Sequence, residues 1–345
     1  MSTPPAGVEM KRREFIGALG GSALAWPVAA RSQQPTKTYR MAIVHPSAPV
    51  ANLIEETTHG SFYPFFFKAL GQLGYIEGQN LAVERWTAEG IADRYEEIAS
   101  NVIARKPDVV FVPTGRMALA FKKVTSTLPM VVLAGADPIR MGIVENLSRP
   151  GANITGFTTE AGPDFLGKNF QILRDLKPGL KKVGFLTNRE GWETGQPVMT
   201  TTSQSMGISI VGPTVEAPYG EREHRASLTS MFHDGIEALV IGTTLETFAH
   251  RNMIIQLVQD HRLPALYPHA EYVRAGGLMV YACDFSEVLA GLAHYVDLIL
   301  RGAKPGDLPY LQPTRFQFTI NLKSAKAIEL NIPATLLASA DKVIE

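Results

Sequence analysis

Short apolar runs alternate with helix-length periodic stretches along most of this chain, and that rhythm narrows the possible folds more than any other feature. In the first half the runs are "YRMAIVHP", "NLAVERW", "DVVFVPTG", "PMVVLAGADP" and "NITGFT", with helices expected over 62–73, 92–105 and 116–126. The second half repeats the order with "KKVGFLTN", "ISIVGPT", "ALVIGTT", "PALYP" and "GLMVYA", and helices are expected over 196–206, 222–234 and 245–261. Parallel strands need long crossovers, usually helical, and this spacing supplies them. Both halves place Leu-Pro before the fourth strand, in "TSTLPMVVL" and "DHRLPALYP". A proline there stops the helix without removing a bond from the centre of the ladder. The fold class is therefore α/β, with two doubly wound parallel-sheet lobes.

After "GLMVYACDF" a long helix is expected over 286–301, then a Pro- and Gly-rich connector, "GAKPGDLPYLQPT". A strand, "FQFTINL", and a short helix near 323–328 follow. Such a tail suits a chain that crosses back between lobes. The expected division is lobe 1 over 38–157, lobe 2 over 158–283, a return to lobe 1 over 284–310, and a C-terminal segment, 311–345, crossing back towards lobe 2.

The segment ahead of the first strand reads differently. "RREFIGALGGSALAWPVAA" has two arginines, a short apolar run and a Val28-Ala29-Ala30 end. The run is shorter than the roughly 20 residues that span a bilayer. The order of parts matches an export signal over 1–30, and Arg12-Arg13 followed by Phe15-Ile16 is twin-arginine-like. The competing reading, an amphipathic first helix, is weakened by Gly17, Gly20 and Gly21, each costing about 1 kcal/mol. Cys283 is the single cysteine, so no internal disulfide forms, and it lies far from the cleavage point, where a lipid would be attached. Basic and acidic residues balance at 33 each, which leaves no electrostatic footprint for nucleic acid or an anionic membrane. A freely diffusing periplasmic protein, its signal removed and with no lipid anchor, is expected.

In open parallel sheets ligands bind beyond the carboxyl ends of the strands, where strand order reverses. Two lobes facing each other aim both sets of ends into one cleft. That geometry selects His45, Ser47, Thr114, Gly115, Arg116 and Asp137 from lobe 1. It selects Asn188, Arg189, Thr243, Thr244, Tyr267 and His269 from lobe 2, with Tyr281 and Asp284 at the last crossover. Trp192 joins them as a large apolar residue in an otherwise polar loop. In "VPTGRMAL" a helix N-terminus offers free N–H groups to an anion, and Arg116 offers a bidentate contact to a carboxylate. The alternative makes Thr114 an N-cap and Arg116 a solvated residue. Asp137, ahead of Pro138, reads first as a helix cap. Tyr267 either stacks on a ligand or packs in the core, and Trp192 is either a lid or a packed edge.

Other signals are weaker. "GPDFLGKN" fits G-x-x-x-x-G-K, but Asn169 stands where a phosphate loop needs Ser or Thr for magnesium. No dinucleotide fingerprint or nucleophile elbow occurs, and the eight histidines include no H-x-x-x-H pair. No cofactor and no metal are expected. His59, His224, His233 and His261 lie in polar stretches and read as solvated. No nucleophile stands at a recognisable spacing from a base, so the reading is not an enzyme; an enzyme on this scaffold would use Asp137, His45 or Asp284.

The blocks "LGYIEGQNLAVERWTAEGIADRYEEIA", "RPGANITGFT", "LPALYPHAEYVRAGGLMVYACD", "YVDLILRGAKPGDLPYLQPTRFQFTINLKSAKAIEL" and "IPATLLASADKVIE" resemble an ABC-transporter substrate-binding family that includes tryptophan/tyrosine-binding proteins. The resemblance implies a type I periplasmic-binding-protein fold, hinge crossings near 157–163, 282–286 and 310–316, and closure over one small molecule. It also implies delivery to an ABC permease in the inner membrane by a monomer. A ligand-sensing receptor is the alternative from the same scaffold. A repressor is set aside because no helix-turn-helix precedes the first strand. Departures from the family pattern fall at Arg116, at Asn188-Arg189-Glu190-Gly191-Trp192 and at Gly242-Thr243-Thr244-Leu245-Glu246. The expected ligand is a small organic molecule, an amino acid or an aromatic or organic acid. With added arginines and Trp192, the departures argue against a plain aromatic amino acid and suit an organic acid with an aromatic or apolar part.

Overall fold

The computed structural model describes residues 37–53, 62–135, 137–159 and 163–345. The export signal expected over 1–30 lies outside the described residues, as do 160–162 of the first expected hinge and His59. Among the described residues, no helix is long and apolar enough to cross a membrane.

Five parallel strands form the first sheet: β1 (Tyr39–His45), β2 (Leu81–Thr87), β3 (Val109–Val112), β4 (Met130–Ala134) and β5 (Ile154–Thr158), in the order β2-β1-β3-β4-β5. The second sheet repeats that order with β6 (Lys182–Leu186), β7 (Ser209–Val211), β8 (Ala238–Ile241), β9 (Ala265–Tyr267) and β10 (Met279–Cys283), arranged β7-β6-β8-β9-β10. Two further strands extend its β10 edge: β11 (Phe316–Asn321), antiparallel to β10, and β12 (Lys342–Ile344), parallel to β11. β3, β4 and β8 are buried along their whole length, as expected of inner strands covered on both faces. β5, at one edge of the first sheet, is also buried because the chain near Leu311 runs beside it, whereas the edge strands β2 and β7 are partly exposed.

The helices cover these sheets with narrow apolar stripes. In the helix Tyr95–Ala104, Tyr95, Ile98, Ala99 and Val102 are buried, a spacing that puts them on one face. The helix Phe285–Leu300 follows β10 of the second sheet but packs in the core of the first, against the helix Tyr63–Gln72. Its Gly291 lies on the Phe157 ring of β5, where a Cβ would stand 2.3 Å from Cζ. The hydroxyl of Tyr75 donates to the buried Asp297 at 2.9 Å, tying this helix to the turn beyond Gln72. The chain then runs beside β5, where Thr158 N–H donates to Leu311 O and Leu311 N–H to Gly156 O, before entering β11.

Several local expectations change. The helix expected from 196 runs over Arg189–Ser205, with Pro197 inside it. Asn188 caps it by accepting from Gly191 N–H at 2.8 Å, and Met199 anchors its inner face, so capping and packing outweigh the proline. The helix expected over 245–261 breaks at His250 into Leu245–Ala249 and Arg251–Asp260. Asp137 accepts from the N–H groups of Ile139 and Arg140 but heads a turn instead of a helix. His224 is fully buried with its Nδ1 against Gly220 O, not solvated. β12 was not anticipated.

Candidate functional site

The carboxyl ends of β3, β4 and β5 face those of β6, β8 and β9 across a cavity of about 110 Å³. This is of the order of the roughly 150 Å³ cavities that accept a benzene-sized ring. Phe62, Phe165, Phe185, Phe248, Phe285 and Met141 supply much of an apolar lining. Polar side chains interrupt that lining, among them several threonines, Asn169, Asn188, Glu190, Glu246 and His269. Among the described residues, no lysine or arginine lines the cavity.

The most informative contact is at the start of the helix Gly115–Val124. Thr114 Oγ1 accepts from Met117 N–H, the ordinary N-cap. The next free donor, Arg116 N–H, gives its hydrogen to Glu190 Oε1 at 3.0 Å. Glu190 belongs to the first turn of Arg189–Ser205, on the other sheet's side of the cleft. A carboxylate of the protein itself thus occupies the position where the helix favours an anion. The residue as a whole is partly exposed, but its carboxyl group is enclosed, and burial pushes its pKa up to about 7. The Arg116 N–H opposes that rise, Glu246 and Glu193 add to it, and the Arg116 guanidinium offsets part of it.

Glu246 is the second acid. It is 6% exposed and accepts from Ser47 Oγ at 2.7 Å and from Asn188 Nδ2 at 3.2 Å. Ser47 follows β1 of the first sheet, so this bond spans the cleft. Arg140 Nη2 donates to Thr194 O at 2.5 Å, a third bond between the two sides. The structure is therefore of a closed cleft.

Three buried side-chain atoms of residues in the lining have no hydrogen-bond partner among the described residues: Asn169 Oδ1, Thr187 Oγ1 and His269 Nδ1. Their residues are all less than 10% exposed. Burial holds His269 neutral, well below the usual imidazole range, with its ring between Phe285 and Phe248. An unpaired buried polar atom costs about 1–3 kcal/mol, so three in one cavity call for a partner.

Seven residues selected from the sequence line this cavity: Thr114, Gly115, Asn188, Thr243, Thr244, Tyr267 and His269. The other eight lie off it. His45 Nδ1 accepts from the N–H groups of Ser47 and Ala48, holding the turn that presents Ser47 to Glu246. The Arg116 side chain is 44% exposed and faces Glu193 at 3.7 Å. Arg189 pairs with Glu216 on the surface, Asp137 bonds its own turn, and Asp284 caps Phe285–Leu300. Trp192 is a packed edge: it covers Gly212 and lies beside Phe185. Tyr281 stacks between Phe165 and Phe316. Glu190, Glu246, Asn169 and Thr187 also line the cavity and are not among the residues selected from the sequence. Asn169 is carried by the helix Pro163–Leu176, which replaces the phosphate-loop geometry considered for "GPDFLGKN".

Comparisons with known proteins agree with this architecture. A curated tyrosine-binding protein of Clostridioides difficile (strain R20291) is 21% identical over 281 residues, covering 81% of this chain and 80% of that protein. A crystal structure of a conserved domain protein from Vibrio cholerae O1 biovar eltor superposes with a TM-score of 0.74 at 21% identity, over 89% of this chain and 100% of that one. The ABC domain from Streptococcus pneumonia in complex with L-Trp gives 0.71 at 21% identity, over 88% and 100%. The fold is thus the two-lobed periplasmic-binding-protein fold of type I. The family model described as ABC transporter substrate binding protein matches residues 48–344, nearly the whole described chain, and the protein belongs to that family.

Proposed function

We propose that this protein captures a small organic molecule with an aromatic or apolar body between its two lobes and delivers it, free in the periplasm, to an ABC importer. The observation that carries the reading is one cavity between the two sets of strand ends, walled by phenylalanines and lined by residues with unpartnered buried polar atoms, Asn169 Oδ1, Thr187 Oγ1 and His269 Nδ1. The apolar wall supplies burial and the orphaned atoms supply orientation, the usual division in small-molecule sites. The tyrosine-binding relative and the L-Trp complex have ligands of comparable ring-bearing build. Ser47–Glu246 and Arg140–Thr194 tie the closed lobes together, so a ligand that touches both lobes draws an open–closed equilibrium towards closure. The membrane permease then reads the closed shape.

Thermal-shift screening of the purified protein against amino acids, aromatic amines, aromatic and aliphatic acids, and sugars tests the reading. A ligand at 100 times its dissociation constant adds about 2.7 kcal/mol to stability. No shift with any of these classes refutes it.

A further inference from the structure

Charge inside the cleft says more about the ligand than its shape does. The formal charges that line the cavity, among the described residues, are the carboxyls of Glu190 and Glu246. The backbone donor best placed to hold a ligand carboxylate, Arg116 N–H, is taken by Glu190. The guanidinium that follows it points away, to Glu193. A ligand carboxylate would have to displace Glu190 and lie beside Glu246, with no lysine or arginine in the lining to balance it.

The orphaned atoms are compatible with that. Asn169 Oδ1 is an acceptor, Thr187 Oγ1 can accept or donate, and Nδ1 of a neutral His269 accepts in one of its two tautomers. An ammonium has three donors and no acceptor, which matches two carboxyls and the Asn169 oxygen. The same aromatic wall favours a cation near its rings. We infer that the ligand is an amine with an aromatic or apolar body and no carboxylate, its ammonium held between Glu190 and Glu246. This inference rests on the reading of the cleft as a ligand site.

Matched pairs that differ by one carboxylate test it: tyramine against tyrosine and tryptamine against tryptophan, with phenethylamine, 3-phenylpropanoate and 2-phenylethanol as a third set. Calorimetric titration of the wild-type protein should find the amines bound at least tenfold more tightly than their carboxylate-bearing partners. Glu190→Gln keeps an acceptor for Arg116 N–H, and it should weaken amine binding at least fivefold while narrowing the gap to the acids. A carboxylate or amino acid that binds as tightly as its amine overturns the inference. So does binding confined to uncharged compounds, in these sets or in the wider screen. Silence across the wider screen sinks the binding-protein reading itself, which separates the two failures.

Discussion

The bond between Ser47 Oγ and Glu246 Oε1 should set how readily the cleft closes. It is 2.7 Å long, joins residues 199 positions apart, and ends on a carboxyl that is 6% exposed. Ser47→Ala removes the hydroxyl without adding bulk. A hydrogen bond to a charged acceptor contributes about 1.5–3 kcal/mol net. When the lobes part, water can replace the hydroxyl at Glu246, so the loss falls mainly on the closed form. At 1.4 kcal/mol per factor of ten, the closed form loses weight by roughly 10- to 150-fold. In a protein that is mostly open without ligand, apparent affinity falls by the same factor. Calorimetric titration of the best screened ligand should show that drop for Ser47→Ala and only a small change for Ser47→Thr, which keeps the hydroxyl. Small-angle scattering at a fixed subsaturating ligand concentration should show the alanine variant more extended. The double variant with Glu246→Gln adds a control, because the Ser47 effect should shrink once the charged acceptor is gone. Unchanged affinity and unchanged scattering for Ser47→Ala would refute the assignment of this bond to closure.

Glu190 should make stability depend on pH. Its carboxyl titrates at about 7 in the folded protein against an ordinary value of 4.5, among Arg116, Glu193, Glu246 and the neutral phenols of Tyr95 and Tyr219. Because the folded pKa is raised, the contribution of Glu190 is fully present below pH 4.5 and is lost as pH rises through 7. Glu190→Gln should therefore gain melting temperature over the wild type at pH 8 and gain less at pH 5, by calorimetry without ligand; equal differences at the two values contradict the enclosed carboxyl. Gly291→Ala should destabilise by about 1–3 kcal/mol in denaturant unfolding although alanine is the better helix former, because the new Cβ would meet the Phe157 ring at 2.3 Å; a more stable variant would mean that this helix is free to shift.

The lobes could be read from the sequence because their inner strands are covered on both faces. Burial on both faces demands nearly continuous apolar runs, and "DVVFV", "MVVLA" and "ALVI" are such runs. The repeated spacing of those runs became the repeated order β2-β1-β3-β4-β5 and β7-β6-β8-β9-β10. β12 escaped notice because a three-residue edge strand with exposed residues has no such demand on its composition. The helix expected from 196 begins at Arg189, because Asn188 caps it there and its buried inner face tolerates Pro197 within it. An expected start at 196 leaves Glu190 in a loop and outside the residues selected for the cleft.

The sequence by itself determined an α/β chain of two similar halves and a cleft at the strand ends, because periodicity and turn chemistry are local. It also placed Thr114, Asn188 and His269 at that cleft, since each sits where a strand hands over to a helix. Only the tertiary structure decided the charge of the cleft. Arg116 contributes its N–H to the cleft while its guanidinium leaves for Glu193, and Glu190 and Glu246 turn inward. Those directions depend on partners from the opposite lobe, Arg116 with Glu190 and Ser47 with Glu246, which are 74 and 199 positions apart. A side chain's sign is written in the sequence, but the face it presents is set by what folds against it.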